Sequence, residues 1–142
     1  MRALLDVNVL LALFDSNHAD HLRARSWLTR EIRHGWASCA LTQNGFVRII
    51  SQPRYPGSIS PAEAILRLRQ ATATEHHEFW SCEVSVLDAQ YFEARRIHGP
   101  KQVTDLYLLA LAVHHGGRLV TFDDRIPLSA VPHATPRHLA VV

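Results

Sequence analysis

Three aspartates, far apart in the chain, each stand at the edge of an apolar run. They are Asp6 in Ala3-Leu4-Leu5-Asp6-Val7-Asn8-Val9-Leu10-Leu11, Asp105 in Val103-Thr104-Asp105-Leu106-Tyr107-Leu108-Leu109, and Asp123 in Val120-Thr121-Phe122-Asp123-Asp124. A carboxylate in apolar surroundings needs a proton, a cationic partner or a metal to offset its lost hydration. Three carboxylates that meet repel one another and cannot all stay ionised without a cation. Hard divalent ions with a preference for oxygen, Mg²⁺ or Mn²⁺, meet that need. Such ions activate water and stabilise the oxygens of an in-line phosphoryl displacement, so a convergent trio points to metal-assisted phosphodiester hydrolysis. Each residue also has a plainer explanation. Asp105 can offset a helix dipole from a first turn, and Asp123 or Asp124 can open a turn before Arg125-Ile126-Pro127. Asp6 follows an apolar strand with no turn signal after it.

Whether the three converge depends on the elements that carry them. Residues 2–6 read as a short buried strand, and the pattern then shifts to a helix over about 7–14. Ala24, Trp27, Leu28 and Ile32 fall at helical spacing and predict an amphipathic helix over 19–33, with Gly35 as its C-cap. Residues 36–40 read as a second strand, followed by a helix capped by Thr42 that ends before Pro53. Ser60-Pro61-Ala62-Glu63 is a capping box with proline at the first helical position, opening a helix to about 73. A strand is expected around Val84-Ser85-Val86-Leu87, then a helix capped by Asp88 through Tyr91, Phe92 and Ile97. A strongly apolar helix over about 104–114 closes at Gly116-Gly117, followed by a strand at 118–122 and a last one near 140–142. Strands alternating with helices predict an α/β fold with a central parallel sheet flanked by helices. Ligands of such sheets bind beyond the carboxyl ends of the strands, where Asp6 and Asp123 stand.

The 142 residues suit one domain with one hydrophobic core, and the 1–142 span is read as such. The composition, 47% hydrophobic and 20% charged, is that of a globular chain, and a net charge of +2 is compatible with a nucleic-acid partner without demanding one. The opening apolar run is too short and too interrupted to span a bilayer, and the two cysteines form no CxxC pair. A cytoplasmic protein with reduced, buried thiols and no membrane partner is expected.

Four stretches together resemble PIN domains. Leu4-Leu5-Asp6-Val7-Asn8-Val9-Leu10-Leu11 is similar to their opening motif, and Thr42-Gln43-Asn44-Gly45-Phe46-Val47-Arg48 to their second. Val103 to Ala112 resembles their central helix, and Leu119-Val120-Thr121-Phe122-Asp123 their closing strand. The motifs come in the family's order across nearly the whole chain, and the nearest likeness is to VapC-type toxins of toxin–antitoxin pairs. The resemblance implies an endoribonuclease dependent on Mg²⁺ or Mn²⁺ that cleaves tRNA or rRNA. It implies Asp6, Asp105 and Asp123 as catalytic metal ligands, Asn8 as support on the Asp6 side and Thr121 as support near Asp123. It also implies a homodimer neutralised by a VapB-type antitoxin. The family's second motif usually carries glutamate where this chain has Gln43. An amide keeps the shape and loses the charge, so a single metal is the expected complement, with Asp124 as a possible extra acid.

Other features are weaker. The ten histidines show no zinc-ligand spacing and are expected at surfaces and caps. Arg48, Arg54 and Lys101 are the expected RNA contacts, positioning phosphates without reading sequence. Arg23, Arg25, Arg30 and Arg33 fit a solvated helix face, and Trp27, Trp36 and Trp80 fit the core or a dimer interface. A competing reading is a degenerate PIN domain that binds RNA or protein without cleavage. An aspartyl-nucleophile phosphatase fits worse, because that chemistry wants an acid where Asn8 stands.

Overall fold

Five short strands, all parallel, form one sheet in the order β3-β2-β1-β4-β5 in a computed structural model that describes residues 1–142. The strands are β1 (Ala3–Leu5), β2 (Trp36–Cys39), β3 (His77–Trp80), β4 (Arg118–Thr121) and β5 (Leu139–Val141). The helices are α1 (Val7–Phe14), α2 (His21–Glu31), α3 (Ala40–Ile50), α4 (Pro61–Thr72) and α5 (Val103–His114). None is long and apolar enough to cross a membrane.

β1 lies in the middle of the sheet, paired with β2 on one side and β4 on the other. Its side chains alternate between the two faces, as a strand requires. Leu4 packs with Ala37 and Leu119 against Leu108, Leu109 and Ala112 of α5. Ala3 and Leu5 pack on the opposite face with Trp36 and Val120, under Phe46 and Ile50 of α3 and Leu68 of α4. Val84, Phe92, Ile126, Ala130 and Val131 join the same cluster as Leu4, so α5 is covered by more than the sheet and is apolar nearly all round, with Leu106 and Leu108 to Ala112 all buried.

The signals at Ser60 and Gly116 hold, whereas α3 begins at Ala40 with Cys39 as its N-cap, and Thr42, expected as the cap, sits in its first turn and accepts from the Cys39 N–H at 3.0 Å. Ser60 Oγ accepts from the Glu63 N–H at 3.1 Å, with Pro61 opening α4. Gly116, at φ +66°, ends α5 in the left-handed conformation open to glycine. Gly117 then lets the chain pass close by. A Cβ there would lie 2.6 Å from both the Arg2 carbonyl oxygen and the Trp80 ring.

The segment between β3 and α5 departs from the expectation. The third strand is His77–Trp80, paired residue for residue with β2 from Trp36↔His77 to Cys39↔Trp80. Val84 to Leu87 form no strand. Ser85 Oγ accepts from the Leu87 N–H at 3.2 Å and Asp88 Oδ1 from the Gln90 N–H at 2.9 Å. Such local side-chain bonds offer the backbone turns in place of a ladder. The helix expected from Asp88 to Ile97 is reduced to a 3₁₀ turn at Ala94–Arg96, because the Glu93 N–H is drawn to the Ala130 carbonyl at 2.9 Å. Cys39 is buried as expected, whereas Cys82 in this irregular segment is exposed.

Gly117→Ala forces a methyl into backbone and an indole, so it destabilises the fold by about 1–3 kcal/mol. Urea unfolding of the variant against wild type measures this, and an unchanged midpoint would contradict the close approach.

Candidate active site

Sheet parity decides which residues can meet. The extended backbone of Asp6 (φ −64°, ψ 157°) continues the alternation of β1, so its carboxylate turns to the Leu4 face, the side covered by α5. Thr121, two residues beyond Leu119 in β4, turns to the same face. Asp105 sits in the first turn of α5, above these strand ends.

Asp6 is 7% exposed and held from three directions. Its backbone N–H donates to the Val120 carbonyl at 2.9 Å. The Val7 N–H donates to Oδ1 at 2.7 Å, making Asp6 the N-cap of α1. The Thr121 hydroxyl donates to Oδ2 at 2.7 Å. That hydroxyl also accepts from Asn8 Nδ2 and from the Asp123 N–H, each at 3.1 Å. One donor and two acceptor positions are all a threonine hydroxyl has, so its proton is committed to Asp6. Asn8 Oδ1 in turn accepts from the Phe122 N–H at 3.4 Å, tying α1 to the end of β4.

Burial pushes the Asp6 carboxyl above its ordinary value, against the Thr121 and Val7 hydrogen bonds, and the Asp123 charge adds to the rise. Asp105 is pushed up to about 6 by burial first, then by the charges of Asp6 and Asp123, with Arg125 opposing. Asp123 moves the other way, because the Arg125 side chain and N–H bond to its carboxylate. The Arg125 guanidinium is largely exposed, so this ion pair is screened by water and adds little to stability. The three carboxylates therefore share one field, but their oxygens are not drawn within 4.8 Å of one another. Each of two has a competing attachment, Asp6 to Thr121 and Asp123 to Arg125.

Asp105 and Asp123 line a cavity of about 200 Å³ together with Lys101, Gln102, Arg125 and Ile126. Of the expected RNA contacts, Lys101 is thus at the carboxylates. Arg48 lies in a separate groove of about 550 Å³ between α3 and α4, with Asn44, Ser51 and Arg69. Arg54, in the turn after α3, is exposed and lines neither hollow. Asp124 is exposed and outside the cavity lining.

Gln43 also lines the α3–α4 groove and not the acidic cavity. Its Nε2 donates to Ser38 Oγ at 2.9 Å, and that oxygen lies 2.8 Å from His77 Nε2. Ser38 shares the face of Trp36, opposite to Asp6, so parity separates Gln43 from the carboxylates. The basic pair Arg48 and Arg69 across α3 and α4 is a juxtaposition that spacing did not reveal, since it depends on how two helices cross.

The comparisons with known proteins agree with this geometry. The PIN domain family matches residues 3–133. Ribonuclease VapC44 of Mycobacterium tuberculosis is 66% identical over 142 residues, all of both chains. Ribonuclease VapC39 of the same organism is 41% identical over 131 residues, 92% of this chain and 94% of the relative. Among solved structures, VapBC2 of Rickettsia felis, bound to a DNA fragment from their promoter, matches with a TM-score of 0.65 at 14% identity, over 100% of this chain and 99% of that one. The sarcin-ricin loop cleaving toxin VapC20 of M. tuberculosis matches with a TM-score of 0.64 at 13% identity, over 94% and 99%.

Two measurements test the site's wiring. Thr121→Val strands Asp6 Oδ2, Asn8 Nδ2 and the Asp123 N–H together, and costs about 1–3 kcal/mol in denaturant unfolding, while Thr121→Ser retains most of the stability. Asp105 has a folded pKa of about 6 against an ordinary 3.8, so the native state binds the extra proton between those values. Its charge therefore costs nothing below pH 3.8, develops through the window, and opposes folding fully above pH 6. Asp105→Asn accordingly raises the melting temperature in EDTA at pH 8, with the gain shrinking toward pH 4. A gain independent of pH would refute the assignment.

Proposed function

The chain belongs to the PIN-domain family, and from that premise we propose that it is a metal-dependent endoribonuclease of the VapC type, the toxin half of a toxin–antitoxin pair. The observation that carries the reading is the convergence of Asp6, Asp105 and Asp123 at the carboxyl edge of the sheet, with Asp105 pushed up to about 6. Two relatives named as ribonucleases, one alike over all of this chain and one over 92% of it, support it.

The site fits a hard divalent cation. Its donors are carboxylate oxygens, the kind Mg²⁺ and Mn²⁺ prefer, and the Asp105 carboxylate accepts no hydrogen bond that would already balance its charge. Asp6, Asp105 and Asp123 would hold the ion, which when bound supplies charge to neutralise phosphate oxygens and to activate water. Gln43 adds no charge, which favours one ion over two. The chain's own groups do the rest. Thr121 aims Asp6 and favours its charged form against the burial that raises its pKa, and Asn8 keeps Thr121 aimed. Lys101, on the cavity wall, faces the phosphate that enters, and Arg48 with Arg69 offers a second phosphate contact along the strand edge. The substrate is a single-stranded loop of a tRNA or rRNA, the form in which RNA exposes its backbone and bases. A VapB-type antitoxin is the partner, supported by the VapBC2 structure of the same fold, and the chain acts as a homodimer. These steps take place in the cytoplasm.

Cleavage of total RNA with Mg²⁺ or Mn²⁺ tests the proposal. Asp6→Asn and Asp105→Asn each lower the rate at least about a hundredfold, the scale of losing one preorganised charge-stabilising group. Asparagine at position 6 keeps the helix cap through Oδ1 but sets an amide against the filled Thr121 hydroxyl, so circular dichroism of each variant separates a lost fold from lost catalysis. Equal decay in all three proteins rules the nuclease out. RNA retained by wild type without cleavage would favour the degenerate binding module.

A further inference from the structure

At the far end of α5 from Asp105, three side chains converge that the nuclease reading leaves unused. His114 Nε2 lies 3.0 Å and His115 Nε2 3.1 Å from one oxygen, Glu83 Oε1. The three ligand-capable atoms all lie within 4.8 Å of one another. We propose that Glu83, His114 and His115 form a second metal site, suited to Zn²⁺. The proposal goes beyond the nuclease reading and stands independently of it.

Four features support a built site. His115 Nε2 is buried and, despite its approach to Glu83, makes no hydrogen bond of acceptable alignment. Buried polar atoms are rarely left this way, and an ion would complete it. His114 Nδ1 lies 2.7 Å from the Tyr91 hydroxyl oxygen. With Nδ1–H donating to that oxygen, Nε2 keeps its lone pair for a metal, the outer-shell arrangement that ligating histidines use. The His115 ring is stacked on Trp80, with centroids 4.4 Å apart and 9° between planes, which fixes its direction. Finally, neighbouring residues on a helix point about 100° apart, yet these two meet. α5 stops at His114, and His115 as its C-cap (φ −86°, ψ 5°) leaves the helical path. The carbonyl end of the helix also favours a cation.

The donor set selects the ion. Two imidazoles and a carboxylate suit Zn²⁺, while Mg²⁺ avoids nitrogen. A tetrahedral Zn²⁺ with bonds of about 2.0–2.1 Å spaces its ligand atoms about 3.3–3.4 Å apart. The two distances to Glu83, 3.0 and 3.1 Å, fall slightly short of that spacing, and the Glu83 side chain, 41% exposed, has room to shift outward. Three protein ligands leave a fourth position for water. The nine residues from Asp105 to His114 put this site about 13 Å along α5 from the acidic cavity. Zinc here would clamp the irregular segment after β3, through Glu83, to the helix that carries Asp105. His114 and His115 stand at the end and C-cap of α5, as cap histidines do. Glu83 is too distant in sequence from His114 for spacing to announce the site.

Tag-free, full-length Asp105→Asn protein, with the acidic cavity weakened, is titrated with ZnCl₂ by calorimetry and with CoCl₂ by visible absorption. One Zn²⁺ per chain and a tetrahedral Co²⁺ spectrum are expected. His114→Gln and Glu83→Gln each abolish the Co²⁺ spectrum, and Tyr91→Phe weakens Zn²⁺ binding about tenfold or more. Circular dichroism confirms that the variants are folded; both substituted ligands are partly exposed, so at least one stays so. Binding unchanged in the folded variants, or no binding by the parent protein, overturns the proposal.

Discussion

The hydrogen bond from the Thr121 hydroxyl to the Asp6 carboxylate joins almost everything that matters in this molecule. It links the ends of two adjacent strands through a buried charge. Without a donor, that carboxylate would face the desolvation that already pushes its pKa up. With it, the oxygen not used to cap α1 is satisfied, and the threonine oxygen gathers Asn8 and the Asp123 backbone as well. A single hydroxyl thus fixes the start of α1, the end of β4 and the turn that presents Asp123. Because its capacity is filled, the network has one arrangement of protons and no slack.

The second determinant is α5. Most helices of such a fold have a wet face, but this one lies against the sheet beneath the irregular segments 81–98 and 124–138, and is apolar nearly all round. Its two ends are the exceptions. The N-terminal turn brings Asp105 over the strand ends, and the C-terminal turn brings His114 and His115 to Glu83. One end gathers oxygens and the other mainly nitrogens, so the two ends would select ions of different hardness. Rigid packing between them makes α5 the mount for both.

How legible this was depended on range. Asp6, Asp105 and Asp123 could be singled out because each interrupts an apolar run, and their motifs occur in a family's order. Caps at Ser60 and glycines at the ends of helices could be read because their physics is confined to a few neighbouring residues. The segment after β3 could not. Val84, Val86 and Leu87 have strand-like composition, yet Ser85 and Asp88 divert the backbone into turns, and Leu87 ends 91% exposed. Propensity there competed with local hydrogen bonds and lost.

The residues by themselves determined the strand–helix alternation, the apolar character of the central strands and α5, and the identity of the acids that stand at their ends. Only the tertiary structure decided which acids share a cavity and which polar groups are parted from them. Parity sent Asp6 and Thr121 to the face of α5 and Ser38, with Gln43, to the other. The crossing of α3 and α4 paired Arg48 with Arg69, and the stop of α5 turned His115 toward Glu83. The reason is physical. Side-chain type and periodicity are properties of a chain segment, whereas a site is a meeting of segments whose faces are assigned only when the sheet closes around its core.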